Sequence, residues 1–175
     1  MKYTYRIEQD DDASNPRDEF DNLSTFYGVS GSYLVGGKQD IEFHYRDSLE
    51  DEIKALRKQG AVIEEFSSNA GTCYAVVERS QLKKEYLDHG YSMRKALYYA
   101  RQCAKGEIET FLAWAEGEVY GYIVEDEDGE HLDSCWGYYG DDGRKYAEQE
   151  AESYIAWKLE DDEKQEHLIN VSCAI

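Results

Sequence analysis

The chain has 175 residues, 41% hydrophobic and 14% aromatic, with 38 acidic and 19 basic side chains and a formal charge of −19 at neutral pH. Such a length suits one compact domain over 1–175 with a buried core, and the apolar content argues against wholesale disorder. No apolar run nears the roughly 18 residues of a membrane-spanning helix, and no basic stretch leads into an apolar one at the start, so a soluble cytosolic protein is expected.

Lys2 to Glu8 alternates polar and apolar residues, with Tyr3, Tyr5 and Ile7 on one face, and predicts an opening strand. An acidic loop over 9–22 holds the sole proline, Pro16. A strand-like run over 23–29 follows, then turns at Ser30-Gly31-Ser32 and Gly36-Gly37 and a strand over 41–45. Ser48 and Asp51 resemble a capping box for a helix over about 48–58, which Gly60 stops. The β-rich runs 61–68 and 72–78 flank Asn69-Ala70-Gly71 as a hairpin. Ser80 caps a short helix to Leu87 that His89-Gly90 ends. Ser92 then opens a longer one to about 116, weakened at Gly106 and stopped by Gly117.

Strands over 119–124 and 132–138 enclose an acidic hairpin tip, Glu125 to Glu130. After Gly140-Asp141-Asp142-Gly143, a helix over about 144–160 puts Ala147, Ala151, Tyr154, Ile155 and Leu159 on one side and Glu148, Glu150 and Glu152 on the other. Half-buried, hairpin-linked strands between helices predict an α+β fold, a mainly antiparallel sheet with helices on one face.

Each chemical motif has an ordinary explanation. Cys73, Cys103, Cys135 and Cys173 are widely spaced, with no C-x-x-C pair, and read as reduced, mostly buried small hydrophobes. His44, His89, His131 and His167 lack paired ligand spacing, so no metal and no cofactor is expected. Asp126, Asp128 and Gly129 miss the EF-hand spacing, and the glycines at 28, 31, 36 and 37 lack the context of a dinucleotide site. His131, Asp133 and Cys135 alternate along one strand and could mimic a cysteine-nucleophile set. Nucleophilic triads, however, converge from separate segments, so no catalytic residue is assigned and an enzyme is not expected.

Charge is unevenly spread. Residues 1–60 hold 13 acids and 8 bases, 61–105 hold 5 and 7, and 106–175 hold 20 and 4, so the last segment carries −16. Solubility asks for only about 2 to 8 charges on a small domain. Sixteen tyrosines and three tryptophans lie among these carboxylates, and rigid aromatics often anchor interfaces. The expected binding surface comprises Asp126, Glu127, Asp128 and Glu130 at the hairpin tip, Asp141 and Asp142, Glu148, Glu150 and Glu152 on the last helix, with Tyr138 and Tyr139. Its expected partner is a basic protein that itself handles nucleic acid. Direct binding of DNA or RNA, and of membranes, is not expected. The cluster Arg94, Lys95, Arg101 and Lys105 is expected to pair with the chain's own acids or to face a second partner.

Asn15-Pro16-Arg17 with Asp21-Asn22-Leu23, and later Val119-Tyr120-Gly121-Tyr122 through Glu125-Asp126-Glu127-Asp128-Gly129-Glu130 to Asp133-Ser134-Cys135-Trp136-Gly137-Tyr138-Tyr139-Gly140, resemble a family of small acidic proteins of bacteriophages and mobile elements. That family has no assigned reaction, so the resemblance implies origin more than mechanism. In charge the chain is similar to the DNA-mimicking antirestriction and anti-CRISPR inhibitors. It is therefore expected to inhibit a bacterial defence complex in the host cytosol. A non-enzymatic phage accessory protein binding another host protein is the first alternative, and a cysteine-dependent enzyme the second.

Overall fold

The computed structural model describes residues 2–29, 41–44, 46–68 and 71–172. The expected turns at 30–32 and 36–37, the strand end at Tyr45, the Asn69-Ala70 part of the first hairpin turn, and Cys173 lie outside them. The chain is α+β with mainly antiparallel sheets. It divides into two compact units: residues 1–13 with 117–175, and the continuous stretch 14–116 inserted between them.

The inserted unit builds a four-stranded sheet in the order β3 (Ile41–His44), β2 (Thr25–Val29), β5 (Gly71–Val77), β4 (Val62–Ser68). Pairing is antiparallel except between β2 and β3, which run parallel. Side chains alternate along β5: Cys73, Ala75 and Val77 join one core cluster, while Val76 joins another with Tyr27. On the first side lies α4 (Met93–Ala115), whose Ala96, Ala100 and Ala104 recur every four residues and let its backbone approach the sheet. Phe26, Phe66 and Phe111 fill that core, with ring centroids 5.0–6.5 Å apart. Leu49 and Ile53 of α2 (Arg46–Lys58) pack on the second side. Helices thus cover both faces here, and Ala75-Val76-Val77 is wholly buried as a continuous apolar run.

Two helix starts differ from expectation. Ser48 lies inside α2, which begins at Arg46, so it is no N-cap. The short helix begins at Arg79, with the Gln81 side chain accepting from Glu78 N at 2.8 Å, and widens into a π turn over Lys83–Leu87. Gly60, Gly90 and Gly117 do end their helices, each with a positive φ of 76–86°. Gly106 does not interrupt α4.

A buried ion pair ties the start of this unit to α4. Asn15 caps the four-residue α1 (Pro16–Glu19), and the Asn22 amide donates to the carbonyls of Pro16, Arg17 and Phe20. Arg17, with its guanidinium 4.1 Å from the centre of the Phe26 ring, donates to Glu107 at 2.8 Å and to Ser24 O. Glu107 also accepts from Leu23 N at 2.6 Å, Ser24 N at 3.1 Å and the Ser24 hydroxyl. Every oxygen of this carboxylate is engaged, which is the condition under which a buried charge is tolerated.

The discontinuous unit is a three-stranded antiparallel sheet, β1 (Thr4–Gln9), β6 (Val119–Glu125), β7 (His131–Tyr139), with α5 (Gly140–Ser172) on one face. Helix α5 starts four residues earlier and ends twelve later than the expected 144–160. The Gly140-Asp141-Asp142-Gly143 stretch is helical because Gly143 lets the first turn press on Tyr138, where an added Cβ would lie 2.8 Å from the Tyr138 carbonyl carbon. Beyond 160, good helix formers continue with neither glycine nor proline. The core is small: Tyr122, Val124, Ala147 and Ala151, flanked by Ile7, Leu132, Tyr138, Tyr154 and Ile155. Leu159, expected on the packed side, is exposed.

Removing one partner of a buried pair typically costs about 3–5 kcal/mol. Glu107→Gln is therefore expected to lower the unfolding free energy by that order in denaturant titration, since it leaves the Arg17 charge buried. Gly106→Ala is expected to act oppositely. An added Cβ meets nothing within 4 Å, so the better helix former should raise stability by about 0.5–1 kcal/mol, read as a higher midpoint.

Candidate partner interface on the acidic unit

Charge follows the division of the fold. The unit made of 1–13 and 117–175 holds 21 acidic and 6 basic residues, net −15, and the inserted unit 17 and 13, net −4. Such crowding repels, so the placement of each carboxylate matters.

Tyrosines do much of the holding. The Tyr3 hydroxyl donates to Asp162, Tyr5 to Glu152 at 3.2 Å, and Tyr122 to Asp133 at 2.7 Å, while Tyr154 reaches Leu132 O at 3.5 Å. A phenol satisfies a carboxylate without cancelling its charge. Lysine and arginine neutralise Glu8 and Glu125 through Arg6, Asp142 through Lys145, and, beside its bond from Tyr3, Asp162 through Lys158. The Asp162 carboxyl is accordingly held below its usual range by the hydrogen bonds from Tyr3 and Lys158, and Asp142 by the one from Lys145.

The expected interface residues fall into distinct roles. Asp126 belongs to the turn: its carboxylate accepts from Asp128 N at 2.9 Å and Glu130 N at 2.8 Å, and its carbonyl from Gly129 N. Glu127, Asp128 and Glu130 are exposed at the tip, as are Asp141 and Asp142 at the start of α5. Glu148, Glu150 and Glu152 do not share an outer face. At about 100° per residue, Glu148 and Glu152 flank the buried Ala147–Ala151 stripe on one side and Glu150 on the other. Glu148 lies 3.8 Å from Arg144, and Glu152 accepts from Tyr5. Tyr138 and Tyr139 are half-buried, and Tyr138 packs within the core. The expected interface did not include the exposed Trp136 on β7 or Tyr146 and Trp157 on α5, although large aromatic side chains on an acidic helix are a readable signal for the latter two.

The alternating set on β7 is taken up structurally. Asp133 accepts from Tyr122, Cys135 Sγ donates to Trp136 O at 3.8 Å, and His131 is exposed at the hairpin end. Cys103 and Cys135 are exposed rather than buried, because the residues that meet the sheet on α4 are the alanine stripe and because β7 is an edge strand; Cys73 is buried as expected. No group of three potential metal ligands converges among the described residues. None of their helices is long and apolar enough to cross a membrane.

The inserted unit carries a separate polar cleft of about 740 Å³ lined by Arg17, Asn22, Lys84, Tyr86, Cys103 and Glu107. Its strongest groups, Arg17 and Glu107, are spent on each other. The Tyr86 hydroxyl lies 3.3 Å from Cys103 Sγ, and burial followed by that bond pushes its pKa up, so it stays protonated. Comparison of the chain with protein-family models, curated proteins and solved structures gave no match.

The tyrosine bonds set an alkaline limit. The hydrogen bond to Asp162 raises the Tyr3 pKa, and burial together with a carboxylate neighbour raises those of Tyr5 and Tyr122. Folded values above the unfolded value of about 10 mean that this stabilisation is complete below pH ~10 and lost as pH rises through the folded values. Circular-dichroism melts are expected to show a flat melting temperature from about pH 8 to 9.5 and a steep fall above 10. Tyr122→Phe should flatten that fall and lower the melting temperature at pH 8, since Asp133 loses its donor.

Proposed function

We propose that the chain is a phage-encoded inhibitor of a bacterial nucleic-acid-handling defence complex, acting in the host cytosol as an acidic mimic that occupies a basic groove. The observation that carries this reading is the gathering of net −15 into one compact unit. From Asp141 to Glu163, 23 residues of α5 extend over about 33 Å at 1.5 Å rise per residue. Nine acidic and three basic side chains lie on that stretch. The phenol bonds leave that charge uncancelled. The sequence resemblance supplies the phage setting.

A second reading, an adaptor that binds another host protein through apolar contact, is favoured by the exposure of Trp136, Tyr146, Trp157 and Leu159. Salt separates the two. Mimicry weakens as the Debye length shrinks from about 10 Å at 0.1 M to 3 Å at 1 M, whereas apolar docking persists.

Competition between the chain and DNA or guide RNA for a captured basic partner tests the proposal directly. Single amide substitutions at Glu127, Asp128, Glu130 or Glu150 are expected to change affinity little, because exposed pairs contribute about 0–1 kcal/mol each. The fourfold variant should bind markedly more weakly, mainly through slower association, as surface-plasmon kinetics would show. Full inhibition by a fourfold variant that melts at the same or a higher temperature would sink the mimicry reading.

A further inference from the structure

The cationic cluster of the inserted unit finds little acid of its own. Arg101 reaches Glu64 at 3.6 Å, while Arg94, Lys95 and Lys105 are exposed with no acidic partner among the described residues. Arg94, Tyr98, Arg101 and Lys105 follow one another at steps of four, three and four, which draws a straight seam along α4. With Met93, Leu97 and Gln102 they line an open groove of about 610 Å³. Tyr98 and Met93 leave much of their apolar surface exposed there.

The other unit carries the complement. Along α5, Asp141, Lys145, Glu148 and Glu152 follow the same steps of four, three and four. Cations on one helix therefore stand at positions 0, 7 and 11, and anions on the other at 0, 7 and 11, with axial intervals of about 10.5 and 6 Å in both. Laid parallel, the helices bring Arg94 level with Asp141, Arg101 with Glu148 and Lys105 with Glu152. The same register sets the Tyr98 ring beside the Lys145 ammonium, a favourable cation–π pairing. An antiparallel arrangement reverses the intervals and cannot align all three pairs.

From this shared spacing we infer that the α4 groove docks α5 of a second copy of the chain, with the two helices parallel. Each copy offers one groove and one α5, so the contact is heterologous and either closes reciprocally or propagates. Exposed ion pairs are individually weak, and the association is correspondingly weak and salt-tuned. At about 0.01 M salt the Debye length of ~30 Å lets two −19 chains repel each other. Near 0.1 M that long-range repulsion is screened while contact pairs persist, and at 1 M the pairs themselves fade. Self-association therefore peaks at intermediate salt. The inference stands apart from the proposed host partner, since its test reads self-association of the purified chain with no host protein present.

Sedimentation velocity over a concentration series at 0.01, 0.1 and 1 M salt tests it. The expected result is association strongest at 0.1 M. Arg101→Glu and Glu148→Arg should each weaken it at least tenfold, and a mixture of the two variants should recover a complex through the swapped pair. Both side chains are more than two-fifths exposed, so melting temperatures should stay near that of the unmodified chain. A monomer at every salt concentration, unchanged association of Arg101→Glu, or a mixture that fails to recover would overturn the inference. So would tight binding of a fluorescein-labelled single-stranded oligonucleotide that Arg101→Glu abolishes, which would assign the groove to nucleic acid.

Discussion

Repulsion among carboxylates is the constraint on which the acidic unit depends. A small core of Tyr122, Val124, Ala147 and Ala151 must hold together a unit of net −15. Full neutralisation by lysine and arginine would relieve the strain and erase the charge. Phenol donors take another course: Tyr5 and Tyr122 each give a carboxylate a directed proton while leaving its charge in place. Tyr122 also lies in the core, with Tyr138 and Tyr154 packed against it, so the same residue type supplies packing that the short sheet lacks.

The inserted unit solves the opposite problem, a single charge taken out of water. Arg17 and Glu107 sit 90 residues apart in sequence and are joined by one ion pair, closed off by Ser24, Leu23 and the Phe26 ring. Two stretches singled out in the sequence, 15–23 and 119–140, prove to be fold-bearing. In the first, Asn15 and Asn22 cap the turn that aims Arg17. In the second, Gly121 admits the Trp136 ring over its backbone, Gly137 and Gly140 adopt positive φ, and Asp133 anchors Tyr122.

Local features were legible in the sequence where local physics decides them. Alternation of Tyr3, Tyr5 and Ile7 announced β1, and glycines at 60, 90 and 117 marked helix ends that require positive φ. The acidic hairpin was plain from its turn residues. The division into two units was not, because it rests on β1 pairing with β6 across more than a hundred residues, which no window of sequence contains. The Arg17–Glu107 pair was hidden for the same reason. Two errors were avoidable: the 100° step already parts Glu150 from Glu148 and Glu152, and the buried run Ala75-Val76-Val77 already signalled a strand covered on both sides.

The insertion also fixes an order of events during synthesis. The chain leaves the acidic unit after β1 and returns beside it, with Asp10 N donating to Val119 O at 2.8 Å. At a translation rate of about 5–20 residues per second, β1 emerges from the ribosome roughly 5–20 s before β6 exists to pair with it. During that interval it is an unpaired strand edge, and its own charges, at Lys2, Arg6, Glu8 and Asp10–Asp12, are its protection against pairing with a neighbouring chain. The continuous unit can form while β1 waits, so the highly charged sheet closes after it.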